Sequence, residues 1–415
     1  MRILLISNVF PPGFIGGYEL GALDVATHLH GRGHEVHVLT SDYFRDERAE
    51  LDIFPVDRGL TCNALSHDVP VAGRAFDLKR FIDWSNVRRV EASLSKIKPD
   101  LIIAFNLAGL GALGLQSYLR DCGAPVLFYF MDNFFGEADP GSREYAEFRR
   151  VFGPPSVGPR GRVVSMSRNV MKEVDRYLDY SGSDLVFIPG WIDETKVAAE
   201  VREFGDTPAR FVYCSRVAPH KGADVMLDAA ALLWASGQRD FTIAVYGSGQ
   251  VTPFLQRASM LGLDGAVTYK GALSKDEMLQ AFGEYDALLF PTWEREPYGF
   301  VVSEAAAAGC IPIFTNGIGA SEWFIDGDDC LKIARTPESL AGAMRDIMSL
   351  SCNERVKRRR RSMASAKRNL GVSRWMDFFE KECRSLVEDR PARSPAYRSV
   401  AASYLALQEL WKESL

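Results

Sequence analysis

Two glutamates with E-x7-E spacing, Glu296 and Glu304, lie in the segment Trp293-Glu294-Arg295-Glu296-Pro297-Tyr298-Gly299-Phe300-Val301-Val302-Ser303-Glu304, which runs on through Ala305 to Ala308 and Gly309. Phe290-Pro291 ends an apolar run, Pro297 suits a helix start, and the alanines let a helix pack closely on a sheet. Glu296 is then expected just ahead of the helix and Glu304 within its first two turns. Free N–H groups at such a terminus donate to phosphate, and the flanking carboxylates accept from sugar hydroxyls. The plainer reading is the ordinary acidic bias of a helix start. Arg216 and Lys221, five positions apart in Ser215-Arg216-Val217-Ala218-Pro219-His220-Lys221-Gly222, follow another apolar run. Cations at the carboxyl end of a strand can neutralise a leaving diphosphate, although paired cations near a turn are also common as solvated surface groups. Near the start, Gly16-Gly17 separates a first apolar run from a helical stretch. Glycines there let backbone N–H groups approach a phosphate, or they form a plain strand-to-helix turn. The segment is not G-x-G-x-x-G, so it gives nicotinamide binding little support.

These residues need a scaffold of strands whose carboxyl ends share one edge. Short β-branched runs alternate with helical-period segments, the pattern of parallel sheets with crossover helices. Ile3–Ser7, Glu35–Thr40, Leu101–Phe105, Val126–Phe130, Val163–Met166 and Leu185–Ile188 read as one set of strands, with helices over Leu20–Arg32 and Val87–Lys98. A second set comprises Arg210–Ser215, Phe241–Tyr246, Val267–Tyr269, Ala287–Pro291 and Ile311–Thr315. The fold class expected is α/β, with two doubly wound parallel-sheet domains. The polar stretch Asp193–Pro208 is the expected linker. Boundaries are set at 1–190, 191–370 and 371–415, the last a set of C-terminal helices packing back on the first domain. Leu405, Leu407, Leu410 and Trp411 in the tail could line one such helix.

With 415 residues, the chain is long enough for two cores. Its 49 basic and 54 acidic residues give a net charge of −5, which offers nucleic acid no concentrated basic face. Seven cysteines without a C-x-x-C pair fit neither a zinc site nor a disulfide scaffold. His28, His30, His34 and His37 lack the helical i, i+4 pair with a nearby carboxylate that marks a metal site. Asp326-Gly327-Asp328 reads as a surface turn. No stretch approaches the roughly 20 apolar residues of a membrane span, so a cytoplasmic protein is expected. The basic run Arg355–Arg361 either contacts anionic lipid, at the inner face of a membrane, or solvates a helix face.

Taken in order and spacing, Gly16-Gly17, Arg216 with Lys221, the Gly247-Ser248-Gly249 turn, and Glu296 with Glu304 ahead of Gly309-Cys310-Ile311-Pro312 resemble glycosyltransferase family 4 over residues 1 to 385. The resemblance implies the GT-B fold, with its two domains facing across a cleft, and retaining transfer of a sugar from a nucleoside diphosphate, UDP or GDP. Arg216 and Lys221 would hold the departing diphosphate, and Glu296 would stabilise the cation-like sugar. Glu304 would bind the ribose, while the amides of Gly299, Phe300 and Val301 would meet phosphate or sugar oxygens. Gly16 and Gly17 would bring amides from the other domain, requiring domain closure. Gly247 and Gly249 would belong to the donor site, and the loop at Leu273 would touch the base through its backbone. Neither metal nor other cofactor enters this scheme.

Many relatives carry a histidine where this chain has Met131-Asp132, after Val126–Phe130. Methionine cannot replace imidazole as a hydrogen-bonding group. Asp132 is therefore the candidate contact for acceptor or sugar, against the plainer reading of a helix cap. The acceptor, whether a glycan, a lipid-linked molecule or a small metabolite, and the oligomeric state stay open. Two other functions share this scaffold: a nucleotide-sugar epimerase or hydrolase, and a nucleotide-sugar-binding protein without transfer activity.

Overall fold

The computed structural model describes residues 1–13, 16–43, 53–63, 78–136, 138–181, 183–198, 200–203, 208–389 and 409. The chain divides into two compact units, one of Met1–Ile188 with Met376–Leu415 and the other of Pro189–Trp375. Tail residues Leu405, Leu407, Leu410 and Trp411 lie outside the described residues.

In the first unit, strands β1 (Arg2–Ser7), β2 (Glu35–Ser41), β3 (Val56–Leu60), β4 (Leu101–Asn106), β5 (Val126–Phe130), β6 (Gly161–Ser165) and β7 (Leu185–Phe187) form a parallel sheet in the order β3-β2-β1-β4-β5-β6-β7. Helices α1 (Gly17–Gly31), α2 (Trp84–Ile97), α3 (Ala112–Asp121), α4 (Arg143–Phe152) and α5 (Arg168–Val174) supply the crossovers. β4 and β5 are buried along their whole length, which is why they read as continuous apolar runs. β3 escapes that reading, since Val-Asp-Arg-Gly-Leu is an edge strand with little apolar content.

The second unit repeats the plan. Strands β8 (Ala209–Cys214), β9 (Phe241–Tyr246), β10 (Val267–Gly271), β11 (Ala287–Phe290), β12 (Ile311–Thr315) and β13 (Leu331–Ile333) lie in the order β10-β9-β8-β11-β12-β13. The three-residue β13, too short to show a period, is the other strand that sequence patterning misses. Helices α6 (Ala223–Ala235), α7 (Val251–Met260), α8 (Lys275–Phe282), α9 (Phe300–Ala307), α10 (Pro337–Ser349) and α11 (Cys352–Leu370) follow, and α12 (Val372–Asp389) carries the chain back into the first unit. Capping is explicit in the sequence at Ser274 with Glu277 and at Ser351 with Glu354, each a reciprocal capping box.

Within the first unit, α12 is held by both chemistry and packing. His34 Nε2 lies 3.0 Å from Glu380 Oε1, and buried Arg162 donates to the Glu382 carboxylate at 2.8 Å. The Phe379 and Tyr129 rings are 5.7 Å apart. His28 lies 4.0 Å from the Asp377 carboxylate, and His37 lies 2.9 Å from that of Glu35. Among the described residues no group of three or more His, Cys, Asp or Glu side chains could hold a metal ion. Nor is any described helix long and apolar enough to cross a membrane.

The basic run departs most from its sequence reading. Arg359 is 0% exposed, and its guanidinium donates to the carbonyl oxygens of Gly309 (2.6 Å), Arg202 (2.7 Å) and Gly283 (2.9 Å). Arg355 is buried against Asp286 at 3.3 Å. Neither lipid contact nor a solvated face describes these two residues. The cause is the helical period: positions four apart on α11 face inward while Lys357 and Arg360 remain exposed. Truncation to Arg359→Met should leave three inward carbonyls without their donor and lower stability by about 3 kcal/mol. Urea unfolding should report this as a lower midpoint at unchanged slope, and an unaltered midpoint would make the contacts energetically idle.

Candidate functional site

Parallel pairing sends the carboxyl ends of β8, β9, β10 and β11 to one edge of the second sheet, and the loops leaving those ends carry the candidate residues. The loop after β8 is braced from below. Tyr213, fully buried, has its hydroxyl 3.1 Å from the carbonyl oxygens of both Arg216 and Lys221, one proton shared between the two ends of the loop. Burial pushes this phenol far above its usual pKa, so it stays a donor. Pro219–Lys221 forms one 3-10 turn. Gly222 follows at φ 76°, and a Cβ there would sit 1.9 Å from the Pro291 carbonyl oxygen, so only glycine permits this approach to β11. The Arg335 guanidinium donates to the carbonyls of both Pro219 (2.5 Å) and Pro291 (3.3 Å), tying the two loops together.

Lys221 Nζ donates to Glu296 Oε2 at 2.5 Å, and Thr292 Oγ1 donates to the same oxygen at 3.0 Å. Glu296 is only 8% exposed, so this is a partly desolvated ion pair rather than a surface one. Arg216 lies exposed on the same loop. His220, between these cations, has its pKa lowered, first by burial and then by the Lys221 and Arg216 charges, which favours the neutral imidazole.

Gly299, at φ 89°, is the N-cap of α9, with no side-chain cap. Phe300 and Val301 open the helix, so their N–H groups have no partner within it. The helix therefore starts at Phe300 and not at Pro297, which lies in a bend just after the turn closed by Glu296 N–H on the Trp293 carbonyl. Tyr298 anchors that turn, its hydroxyl 3.0 Å from both the Gly190 carbonyl and Ser303 Oγ. Glu304, in the second turn, has Lys275 Nζ at 3.6 Å. Burial and then the Glu304 charge push the Cys214 thiol at the end of β8 up to about 12.

At Gly247 and Gly249 the loop after β9 meets the loop after β8. Val217 N–H donates to Ser248 O, and Gln250 N–H donates to Val217 O, both at 2.8 Å. A Cβ on Gly247 would lie 2.0 Å from the Ser215 carbonyl oxygen, and one on Gly249 would lie 2.6 Å from that of Val217. The glycines let the loop after β9 press against the loop bearing Arg216. Leu273, half exposed, lies between β10 and the capped start of α8.

In the first unit, Gly16 is the N-cap of α1, and its N–H donates to Glu19 Oε2 at 2.9 Å. Gly17, as first helical residue, has no intrahelical partner for its amide. The Tyr18 hydroxyl donates to the Tyr129 carbonyl and accepts from Met131 N–H, both at 3.1 Å, which joins the start of α1 to the end of β5. Met131 is buried, while Asp132 is exposed and accepts from Asn133 N–H at 2.7 Å. A turn follows Asp132 and the next helix begins at Arg143, so the helix-cap reading of Asp132 does not hold. Tyr213, Thr292, Arg335 and Lys275 are the supporting residues that sequence reading misses; their side-chain contacts in the folded chain reveal them.

Two doubly wound parallel-sheet units are the architecture of the GT-B class of glycosyltransferases. Residues 15–196 match Glycosyltransferase Family 4 and residues 195–369 match Glycosyl transferases group 1. The chain belongs to glycosyltransferase family 4. Glycogen synthase of Mycobacterium tuberculosis is 25% identical over 363 residues, 84% of this chain and 86% of that one. Among solved structures, sucrose-phosphate synthase from Thermosynechococcus elongatus has a TM-score of 0.70 at 16% identity, covering 94% of this chain and 99% of that one. Anabaena HepE in complex with UDP-glucose has a TM-score of 0.64 at 17% identity, covering 93% and 100%. At these identities the two structures speak for the fold.

Replacing Tyr213 by Phe removes the proton that both ends of the β8 loop share. The Arg216 and Lys221 carbonyls then lose their donor, and stability should fall by about 1 kcal/mol. Urea unfolding of the variant checks this, and an unchanged midpoint would mean the loop keeps its shape without the hydroxyl.

Proposed function

We propose that this glycosyltransferase retains anomeric configuration, needs no metal, and moves a hexosyl group from a nucleoside diphosphate sugar, with UDP or GDP as nucleotide, to a hydroxyl of a glycan, lipid-linked or small-molecule acceptor. The observation that carries the reading is the Lys221–Glu296 pair at 2.5 Å, with Arg216 on the same braced loop and the open N-terminus of α9 beside Glu296. When the bond from the sugar's anomeric carbon to the β-phosphate oxygen breaks, negative charge grows on the phosphate and positive charge on the sugar ring. Arg216, Lys221 and the α9 amides meet the first, and Glu296 meets the second. The acceptor oxygen bonds to the anomeric carbon on the face the phosphate leaves, and its proton passes to a phosphate oxygen. Glu304 takes the ribose hydroxyls, displacing Lys275. Gly17 and Asp132 serve the first unit's side of the reaction, Asp132 as the sugar or acceptor ligand. HepE's complex with UDP-glucose favours UDP as the first nucleotide to try.

Titration with UDP, GDP and ADP, followed by the sugar-linked forms of whichever binds, tests the donor class. Micromolar binding of one nucleotide is the expected result, and binding of none would remove the donor assignment. With a donor in hand, Lys221→Ala should lower turnover at least a hundredfold. Unchanged turnover would take Lys221 out of the chemistry. EDTA should leave the rate unaltered, whereas a loss restored by magnesium or manganese would replace the cation scheme with a metal one.

A further inference from the structure

The strand order gives the donor site a direction. Leu273 leaves β10, Arg216 and Lys221 leave β8, and the Trp293–Glu296 turn leaves β11, on the far side of β8 from β10. On the transferase reading above, a donor whose base rests at Leu273 and whose diphosphate rests over the β8 loop extends its sugar toward β11. There the chain places an exposed indole. Among the described residues seven large hydrophobic side chains are exposed, and Trp293, at 37%, is the one aromatic.

Trp293 is held in place despite its exposure. Its N–H donates to the His220 carbonyl at 2.9 Å, which joins it to the residue before Lys221, and its own carbonyl accepts from Glu296 N–H at 3.2 Å. The His220 ring meets the indole edge-to-face, with centroids 5.4 Å apart, and the Arg295 guanidinium lies 5.6 Å from the indole centroid. Trp293 thus bonds through its backbone to both loops that supply the Lys221–Glu296 pair. An exposed aromatic ring with two such supports loses little conformational freedom when a ligand packs on it. The C–H face of a pyranose is the apolar surface that suits an indole, and the neighbouring imidazole, neutral beside its cations, can accept from a sugar hydroxyl.

We propose that Trp293, backed by His220, is a specificity-determining platform for the transferred hexose, acting on the sugar of the donor and not on its nucleotide. Calorimetry on the full chain with UDP, GDP and ADP, and with UDP-glucose, UDP-galactose, GDP-mannose and ADP-glucose, separates the two contributions. The wild-type protein should bind one sugar-linked form more tightly than its bare nucleotide. Trp293→Ala should keep the affinity for the bare nucleotide within about twofold, which also reports that the variant is folded, while losing about tenfold for that sugar-linked form. Trp293→Phe, which keeps an aromatic face, should recover most of the loss. Equal losses for nucleotide and nucleotide sugar would make Trp293 a support for the Lys221 loop and overturn the proposal, as would no loss for either. A wild-type protein that binds a nucleotide but gains nothing from any attached sugar would overturn it while leaving the nucleotide assignment intact. Failure to bind any nucleotide would instead fall on the donor reading itself.

Discussion

The bond from Lys221 to Glu296 is the contact on which the second unit's candidate site is organised. A lysine and a glutamate brought to 2.5 Å in a nearly buried setting are favourable only if their backbones are held, because each charge loses water that its partner alone does not replace. The holding is visible. Tyr213 closes the β8 loop from beneath, Gly222 admits the end of β11, Arg335 ties Pro219 to Pro291, and Thr292 shares the carboxylate. Three of these supports are hydrogen bonds of fixed direction and the fourth is a close backbone approach, so the pair is preorganised before any ligand arrives.

The same economy of construction runs through the rest of the second unit. Glycines at 222, 247 and 249 are places where two backbones touch, and their positive φ values suit residues without a Cβ. Arg359 does with one guanidinium what three separate donors would otherwise have to do, capping carbonyls from Arg202, Gly283 and Gly309. A charged side chain so deep in a protein is stable because every face of its fork meets an acceptor.

The first unit's candidate residues are tied to one another by Tyr18, whose hydroxyl links the glycine-led start of α1 to the end of β5. This linkage explains why Asp132, and not Met131, is the side chain presented at that edge: the Met131 N–H is drawn inward to Tyr18, its side chain is buried, and the next residue turns outward. Cys122, just past α3, and Cys383, on α12, each with its pKa raised by burial, are packing residues in this unit rather than reactive ones.

By itself, the sequence determined the class of the fold and most of its strands, because strands buried on both faces must be apolar throughout and helices over them must repeat near 3.6 residues. It also named candidates for the chemistry, through the E-x7-E spacing at the start of a small-residue helix and two cations past a strand. It did not determine β3 or β13, whose residues lack a clear period, nor that the arginine run points partly inward, since seven consecutive residues that include five arginines look alike until a helix assigns them to faces. Only the tertiary structure decided the partners: that Lys221 takes Glu296, that Lys275 takes Glu304, that Gly16 is engaged by its own helix, that the Gly247 turn braces the Arg216 loop, and that Trp293 stands exposed beside them. Apart from Gly16, these are contacts between segments distant in the chain, and a distance of that kind is set by packing, which no local pattern of residues encodes.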